Sequence, residues 1–417
     1  MPFITDTLGA ATLAGLIAAS APVLALEDHE DISIRYDADL SLSSVLETTL
    51  QRHPQAGRLS ARAARAEAEN GYAQRWFPEA SELSAFHMSD RAFDDIGAYE
   101  NEVALSFPMW LPGEKRAQIG LGKVLSDAKA SNERAFRWRV SAQLRQLLWQ
   151  IKASGRQWEL AVEQENRLND LLSQINIFTE AGDLARADQL ATLQELARWK
   201  AETLKLEAEY QDAARAYIAV TSLNVVPANL EEKLNETQQV QAAHPALQVA
   251  MDRLEEESAS LNLARERNSV RPSLDVFWRE FRGDRSGLDV NALGIGFSLP
   301  LGKSPRQSVD VARANEDLSR AESELLQTRR ELDLQLHEAR HLLHTTRLQL
   351  QNSFVMVETA TERFRLDQLS FELGEISTQE WLRRLSQFKD IEQSHELLLI
   401  QEGAAIAAYN QAVGETL

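Results

Sequence analysis

The chain repeats itself, and this limits its fold more than any other feature. "LQRHPQAGRLSARAARAEAENGYAQRWFPEAS" in the first half corresponds to "QAAHPALQVAMDRLEEESASLNLARERNSVRPSLD" in the second, with His53-Pro54 on His244-Pro245 and Pro78 on Pro272. "YENEVALSFPMWLPGEKR" at 99–116 corresponds to "DVNALGIGFSLPLGKSPR" at 289–306, and "FTEAGDLARADQL" at 178–190 to "SFELGEISTQEWL" at 370–382. Gly182 falls on Gly374, Asp188 on Glu380 and Leu190 on Leu382. Landmarks matched in the same order make a duplicated unit. The expected division is 41–222 for the first repeat, 223–240 for a linker and 241–413 for the second.

Each repeat reads as a helix after the His-Pro turn, two strands, a very long helix broken at the glycine, and a second helix. The strands are expected at about 79–89, 99–108, 273–283 and 289–299. The helices are expected at about 115–181, 186–220, 305–373 and 377–411. From Lys115 to Ala181 there is no proline. A helix of that length reaches ~100 Å, far beyond a compact domain. Leu144, Leu147, Ile151, Trp158, Ala161, Leu168, Leu172 and Ile175 follow 3,4 spacing, interrupted at Ser154 and Glu165, which is a coiled-coil seam. Leu336, Ala339, Leu343, Leu350, Val357, Ala360 and Phe364 repeat it more sparsely. Ser304 is placed to cap a helix beginning at Pro305.

The strand windows have period 2. Tyr99, Asn101, Val103, Leu105 and Phe107 alternate with Glu100, Glu102, Ala104 and Ser106; Asn291, Leu293, Ile295 and Phe297 alternate with Val290, Ala292, Gly294 and Gly296. Leu274, Val276 and Trp278 alternate in the same way, and 79–89 is less regular. About ten residues is the length of a tilted membrane-spanning strand. The expected lipid-facing residues are Val103, Leu105, Phe107, Leu293, Ile295 and Phe297, with Glu100 and Glu102 on the inner side. Four strands cannot close a barrel, whose smallest membrane form has about eight, and open edges are not tolerated in lipid. Spanning strands therefore demand oligomers. The alternative is a soluble or peripheral coiled-coil scaffold with two surface hairpins and no pore.

This arrangement resembles the TolC-type outer-membrane efflux proteins, over about residues 40–411. The turns "FPMWLPGEKRAQI" and "FSLPLGKSPRQSV" look most like the CzcC-like branch that serves heavy-metal exporters. The resemblance implies a mainly α fold with a small β part. Each of three protomers would give four antiparallel strands to a 12-stranded outer-membrane barrel and long coiled-coil helices to an α-barrel tunnel across the periplasm. It implies a homotrimer working with a periplasmic adaptor and an inner-membrane, RND-type pump, a passive exit duct with no catalytic residue or cofactor, and heavy-metal cations as cargo. The glycine turns Ala181, Gly182, Asp183, Leu184 and Leu373, Gly374, Glu375, Ile376 would be the adaptor-docking tips, and Asp188 and Glu380 would be acids that narrow the aperture. Arg383 stands where a further acid is expected. "STQE" at 377–380 reads as a capping box that restarts the helix.

One motif pulls elsewhere. "LQLHEARHLLH" at 334–344 contains H-E-x-x-H, a zinc-hydrolase signature when its histidines share a helix face. By the glycine offset, His337 matches Arg145, His341 matches Trp149 and His344 matches Lys152, so the duplicate helix has no ligand set. Solvated histidines beside the seam are expected, and a metal site at His337, His341 and His344 is the lesser candidate. A net charge of −19 disfavours nucleic acid, and with no cysteine there is no disulfide, thiolate site or lipidated cysteine. Residues 7–26 are uncharged and rich in Ala and Leu, and Val23 and Ala25 suit cleavage after Ala25. The expectation is an export signal over 1–25 followed by an acidic segment over 26–40. With Asp6 and no early Lys or Arg, a retained anchor is the lesser reading.

Overall fold

The computed structural model describes residues 34–417 apart from Ser269 and Lys303. The expected signal and residues 26–33 of the acidic segment lie outside the described residues. In chain order β1 (Arg35–Asp37) lies in the segment before the first repeat, which holds α1 (Leu42–Arg52), α2 (Ala56–Gln74), β2 (Glu82–Ser89), β3 (Tyr99–Pro108), α3 (Glu114–Ala181) and α4 (Arg186–Thr221). After β4 (Val225–Pro227) come α5 (Pro245–Glu266), β5 (Ser273–Arg282), β6 (Val290–Ser298), α6 (Pro305–Glu372) and α7 (Thr378–Ala412). The fold is mainly helical with a small antiparallel sheet.

Local signals explain the element ends. Gly182 (φ 89°) and Gly374 (φ 72°) stand in the left-handed region that ends α3 and α6. Ser304 caps α6, its hydroxyl accepting from Arg306 N, with Pro305 at the first position. Ser377 caps α7, accepting from Glu380 N at 3.3 Å. The other half of the expected capping box is missing, because the Glu380 carboxylate binds Arg383 and Arg384 instead. Among the described residues the second repeat has no counterpart of α1. The stretch read as a plain linker also does more than connect: β4 pairs in parallel with β1, and Val226 and Leu230 are buried.

The large sheet has the order β2-β3-β5-β6, antiparallel throughout. Beneath it, α2 packs on α3, α3 on α5 and α5 on α6; lower still, α4 packs on α3, α3 on α7 and α7 on α6. In the sheet and in both helical tiers the molecule is a wall four elements wide, with α1 added against α2, α3 and α4. Its open sides are the same at each level: β2, α2 and α4 on one, β6 and α6 on the other. The seam residues Leu144, Ile151, Ala161, Leu168 and Ile175 are buried in α3, as are Leu336, Ala339, Leu343, Leu350 and Ala360 in α6. Leu148, Trp149, Leu160 and Leu171 are buried as well, because α3 packs against more than one neighbour. Close approach of α7 to α3 depends on Gly403, whose Cβ would overlap the Trp149 ring.

The sheet and helices are joined by a buried ion cluster. Glu114, in the first turn of α3, has no exposed surface and accepts from Arg271 at 2.6 and 2.8 Å and from Arg267 at 3.3 Å. Arg271 also reaches Glu79 at 2.8 Å. Lys389 of α7 bridges the repeats lower down. Its ammonium donates to Leu160 O at 3.3 Å and lies 4.0 Å from the Trp199 ring centre. Burial pulls its pKa down to about 8.

His244 caps α5 with Nδ1 accepting from Ala246 N at 3.2 Å, while Nε2 is buried without a partner. Burial holds its pKa near 4, below the ordinary 6.5. The unfolded chain therefore takes up the proton first as pH falls, and stability is lost between pH 6.5 and about 4. In urea unfolding followed by circular dichroism, the wild type should lose more of its midpoint over this window than His244→Asn, which keeps a capping acceptor. A difference between the two proteins that does not change with pH would remove His244 from this account.

Candidate functional site

Two surfaces gather the residues singled out in the sequence: the sheet faces and the helical tips. Directly paired residues in an antiparallel sheet share a face. Val103 pairs with Trp278 and Trp278 with Leu293; Leu105 pairs with Val276 and Val276 with Ile295; Phe107 pairs with Leu274 and Leu274 with Phe297. Val103, Leu105, Phe107, Leu293, Ile295 and Phe297 thus lie on one continuous face with Leu274, Val276 and Trp278, extended by Leu83 and Ala85 of β2. Much of it is exposed, Leu293 and Ile295 at 78% and 75%. One row along, the same face turns polar with His87, Asn101, Glu280 and Asn291. The opposite face carries Glu100 and Glu102, both bridged by Arg279 at 3.0 and 2.6 Å, and the Phe277 ring, which lies over Gly294. The partners on β5 were readable from the alternation at 273–279. The pairing of Arg279 was not, since it depends on register across strands.

The tips close alike. At the first, Asp183 N donates to Phe178 O at 2.9 Å; at the second, Glu375 N donates to Ser370 O at 2.8 Å. Both are Schellman turns, with glycine in the left-handed position. The structure brings the two tips side by side around one cleft of about 740 Å³, lined by Asp183, Leu184 and Asp188 from one and Phe371, Glu372, Gly374, Glu375 and Ile376 from the other. No lysine or arginine lines it. Leu184 and Ile376 turn partly inward onto the cluster of Leu168, Leu171, Ile175, Leu196, Trp381 and Leu385. Ala181, Gly182, Asp183, Leu373, Gly374 and Glu375 are exposed.

Asp188 and Glu380 each occupy the third position of their helix, but their surroundings differ. Glu380 is held by hydrogen bonds from Arg383 at 2.6 Å and Arg384 at 2.7 Å, which bring its pKa down to about 2. Arg384 also engages Asp367 of α6. Beside this network a column of stacked rings, Phe371, Trp381, Phe364 and Phe388, zips α6 to α7. The 3,4 spacing marked Phe364 only as a seam residue and gave no sign of the stack.

The histidines are not drawn together. His337, His341 and His344 are all exposed on α6, and among the described residues no group of three or more His, Cys, Asp or Glu is arranged to hold a metal ion. Spacings of seven and eleven put His337, His344, Leu348 and Val355 on one face of α6, which carries exposed Leu348 and Val355. Arg145, which the duplication matches to His337, is instead buried and bonded to Glu232 at 2.6 and 2.9 Å. Among the described residues no helix is long and apolar enough to cross a membrane.

No protein-family model and no curated protein matches the chain. Solved structures do. The outer membrane protein VceC from Vibrio cholerae is similar with a TM-score of 0.71 at 16% identity, over 90% of this chain and 96% of that one. The Campylobacter jejuni CmeC outer membrane channel is similar with a TM-score of 0.71 at 15% identity, over 98% and 94%. The outer-membrane channel OprN is similar with a TM-score of 0.73 at 16% identity, over 92% and 95%. The chain has the fold of these channels across nearly its whole length.

Gly182 and Gly374 have no neighbour within 4 Å of an added Cβ, so a substitution there tests backbone conformation alone. Gly182→Ala and Gly374→Ala should each destabilise their turn by ~1–2 kcal/mol. The readout is faster amide exchange at Asp183 and Glu375, with exchange in the middle of α3 and α6 unchanged.

Proposed function

We propose that the protein is a passive exit duct in the outer membrane of a Gram-negative bacterium. Three copies close a 12-stranded barrel, and their long helices form a tunnel through the periplasm toward an adaptor and an inner-membrane pump. The observation that carries this reading is the wall open at the same two sides in sheet and helices alike. In lipid the unpaired edges of β2 and β6 would leave backbone groups without partners. Joining β6 of one copy to β2 of the next satisfies them, and places α6 of the first against α2 and α4 of the second. Both helix sides offer apolar side chains for this seam: Leu326, Leu348, Val355 and Leu366 on α6, Leu190, Leu193 and Leu204 on α4. The two sides are different surfaces, so the contact is heterologous, and a threefold rotation between copies closes it as a ring. The likeness to solved outer-membrane channels supports the reading.

In this arrangement Val103, Leu105, Phe107, Leu293, Ile295 and Phe297 face lipid, and Glu100, Glu102 and Arg279 face the lumen. The two tips and their acidic cleft receive the adaptor. Of the two aperture acids, Asp188 supplies the negative charge at the constriction, because Glu380 carries two guanidinium groups with it. Energy comes from the pump, and the duct needs no catalytic residue. Heavy-metal cations are the cargo that the strand-to-helix turns suggest.

Arginine at a mid-membrane lipid-facing position should cost ~2–4 kcal/mol. Leu105→Arg should therefore deplete heat-modifiable trimers from outer-membrane fractions, and Ser106→Arg, on the opposite face, should not. Equal assembly of the two would refute the assignment of faces.

Gly182→Trp/Gly374→Trp should leave trimers in the membrane but abolish crosslinking to the adaptor and export, scored with zinc, cadmium and an organic cation in parallel. Wild-type export from this variant would refute docking at the tips. Loss of organic-cation export with no effect on the metals would refute the metal cargo.

A further inference from the structure

The strand-to-helix junctions carry a feature that the duct reading does not use. The aligned turns put Arg116 of α3 on Arg306 of α6. Three residues on, Ile119 matches Val309, and seven residues on, Lys123 matches Arg313. Spacings of three and seven place each set on one helix face. All six side chains are exposed, Ile119 and Val309 at 50% and 55%. The same basic–aliphatic–basic face thus occurs twice, within the first three turns of the two long helices.

Several carboxylates near these faces are engaged elsewhere. Glu114 is spent on Arg267 and Arg271, Glu79 on Arg271, and Glu69 accepts from Gln118 at 2.6 Å. Among the described residues none of Arg116, Lys123, Arg306 and Arg313 forms an ion pair with a carboxylate; Asp310 and Asp127 are exposed acids within one turn of them, and Glu316 and Asp317, one turn beyond Arg313, pair with Arg320. This occurs in a chain of net charge −19. Just above, the apolar sheet face ends at Phe107 and Phe297, and Trp76 and Leu301 stand almost fully exposed at the same level. Apolar anchors beside basic side chains are the pattern of a membrane interface, where the aliphatic group enters the acyl boundary and the cations meet headgroup phosphates. Arginine suits a phosphate through its paired donors.

We propose that these two faces bind the phosphates of anionic phospholipids, forming a collar around the duct at the periplasmic leaflet. The inference rests on the duct reading for its membrane. In a trimer the duplicated face recurs around the whole barrel, so the collar resists both tilting and vertical slippage.

The test compares trimers reconstituted in phosphatidylcholine vesicles with trimers in vesicles containing one-fifth phosphatidylglycerol, by the midpoint of thermal trimer dissociation on gels. The wild type should gain several degrees from the anionic lipid. A variant with Arg116→Gln, Lys123→Gln, Arg306→Gln and Arg313→Gln should match the wild type in phosphatidylcholine and gain nothing. Arg116→Lys/Arg306→Lys should keep the gain. Should the fourfold variant not assemble, Arg116→Gln/Lys123→Gln and Arg306→Gln/Arg313→Gln should each lose about half of it, as separate sites add. No gain in the wild type, a full gain in the Gln variants, or the same gain from inorganic phosphate in neutral vesicles would overturn the collar. Wild-type protein that forms no inserted trimer in either lipid would instead refute the duct, and the collar with it; inserted trimers indifferent to lipid charge refute the collar alone.

Discussion

Glu114 lies where the sheet hands over to the helices, and much of the molecule's order depends on how it is held. A carboxylate fully removed from water is tolerable only when paired and hydrogen-bonded. Its partners, Arg267 and Arg271, come from the other repeat, at the end of α5 and the approach to β5. The pair therefore fixes three relations at once: the start of α3, the seating of α5 against it, and the register in which β5 enters beside β3. Removing one partner would strand the remaining charge in a dry site, a far larger penalty than losing a surface ion pair. Gly113 belongs to the same joint, with φ 91° and the Glu266 side chain packed where a Cβ would be.

From that joint the wall extends in both directions with unchanged order. Above it the strands run first repeat then second; below it the helices do the same, in two tiers. Among the described residues the order of elements is kept from the sheet through both tiers, so the chain builds a wall of constant width from two copies of one plan. The division into one apolar and one charged face is also decided within one chain. Val103, Trp278 and Leu293 share a row on one face, while Glu102 and Arg279 share the next row on the other.

Much of this was legible because its causes are local. The long helices end within a residue of the positions read from the sequence, since a glycine that can adopt positive φ, a Ser-Pro start and a proline-free run each act over a few residues. Three of the four long strands were legible through period 2; β2, in the less regular window 79–89, begins only at Glu82. What escaped has non-local causes. The order β2-β3-β5-β6 follows from pairing across more than a hundred residues of chain. The parallel contact of β1 with β4 is only three residues long, too short for any period to show. A glutamate in the first turn of a helix reads as a solvated, dipole-stabilised charge, so nothing announced that Glu114 is buried. The restart at Ser377 was legible as a cap. The diversion of Glu380 to Arg383 and Arg384 was not, because a capping box and an i,i+4 ion pair draw on the same residues.

The equal length of the two long helices has a consequence for how such a chain can change. α3 and α6 each contain 68 residues, and their ends meet around one cleft. Deleting a single residue from one of them shortens it by ~1.5 Å and rotates everything beyond by about 100°, turning its buried stripe toward water and taking one tip out of level with the other. Compensation requires a matching deletion in the second helix and in both returning helices. The duplicated chain is thus a pair of rulers cut to the same mark. Its reach can be revised only in concert, whereas substitutions at exposed positions along its length can accumulate singly.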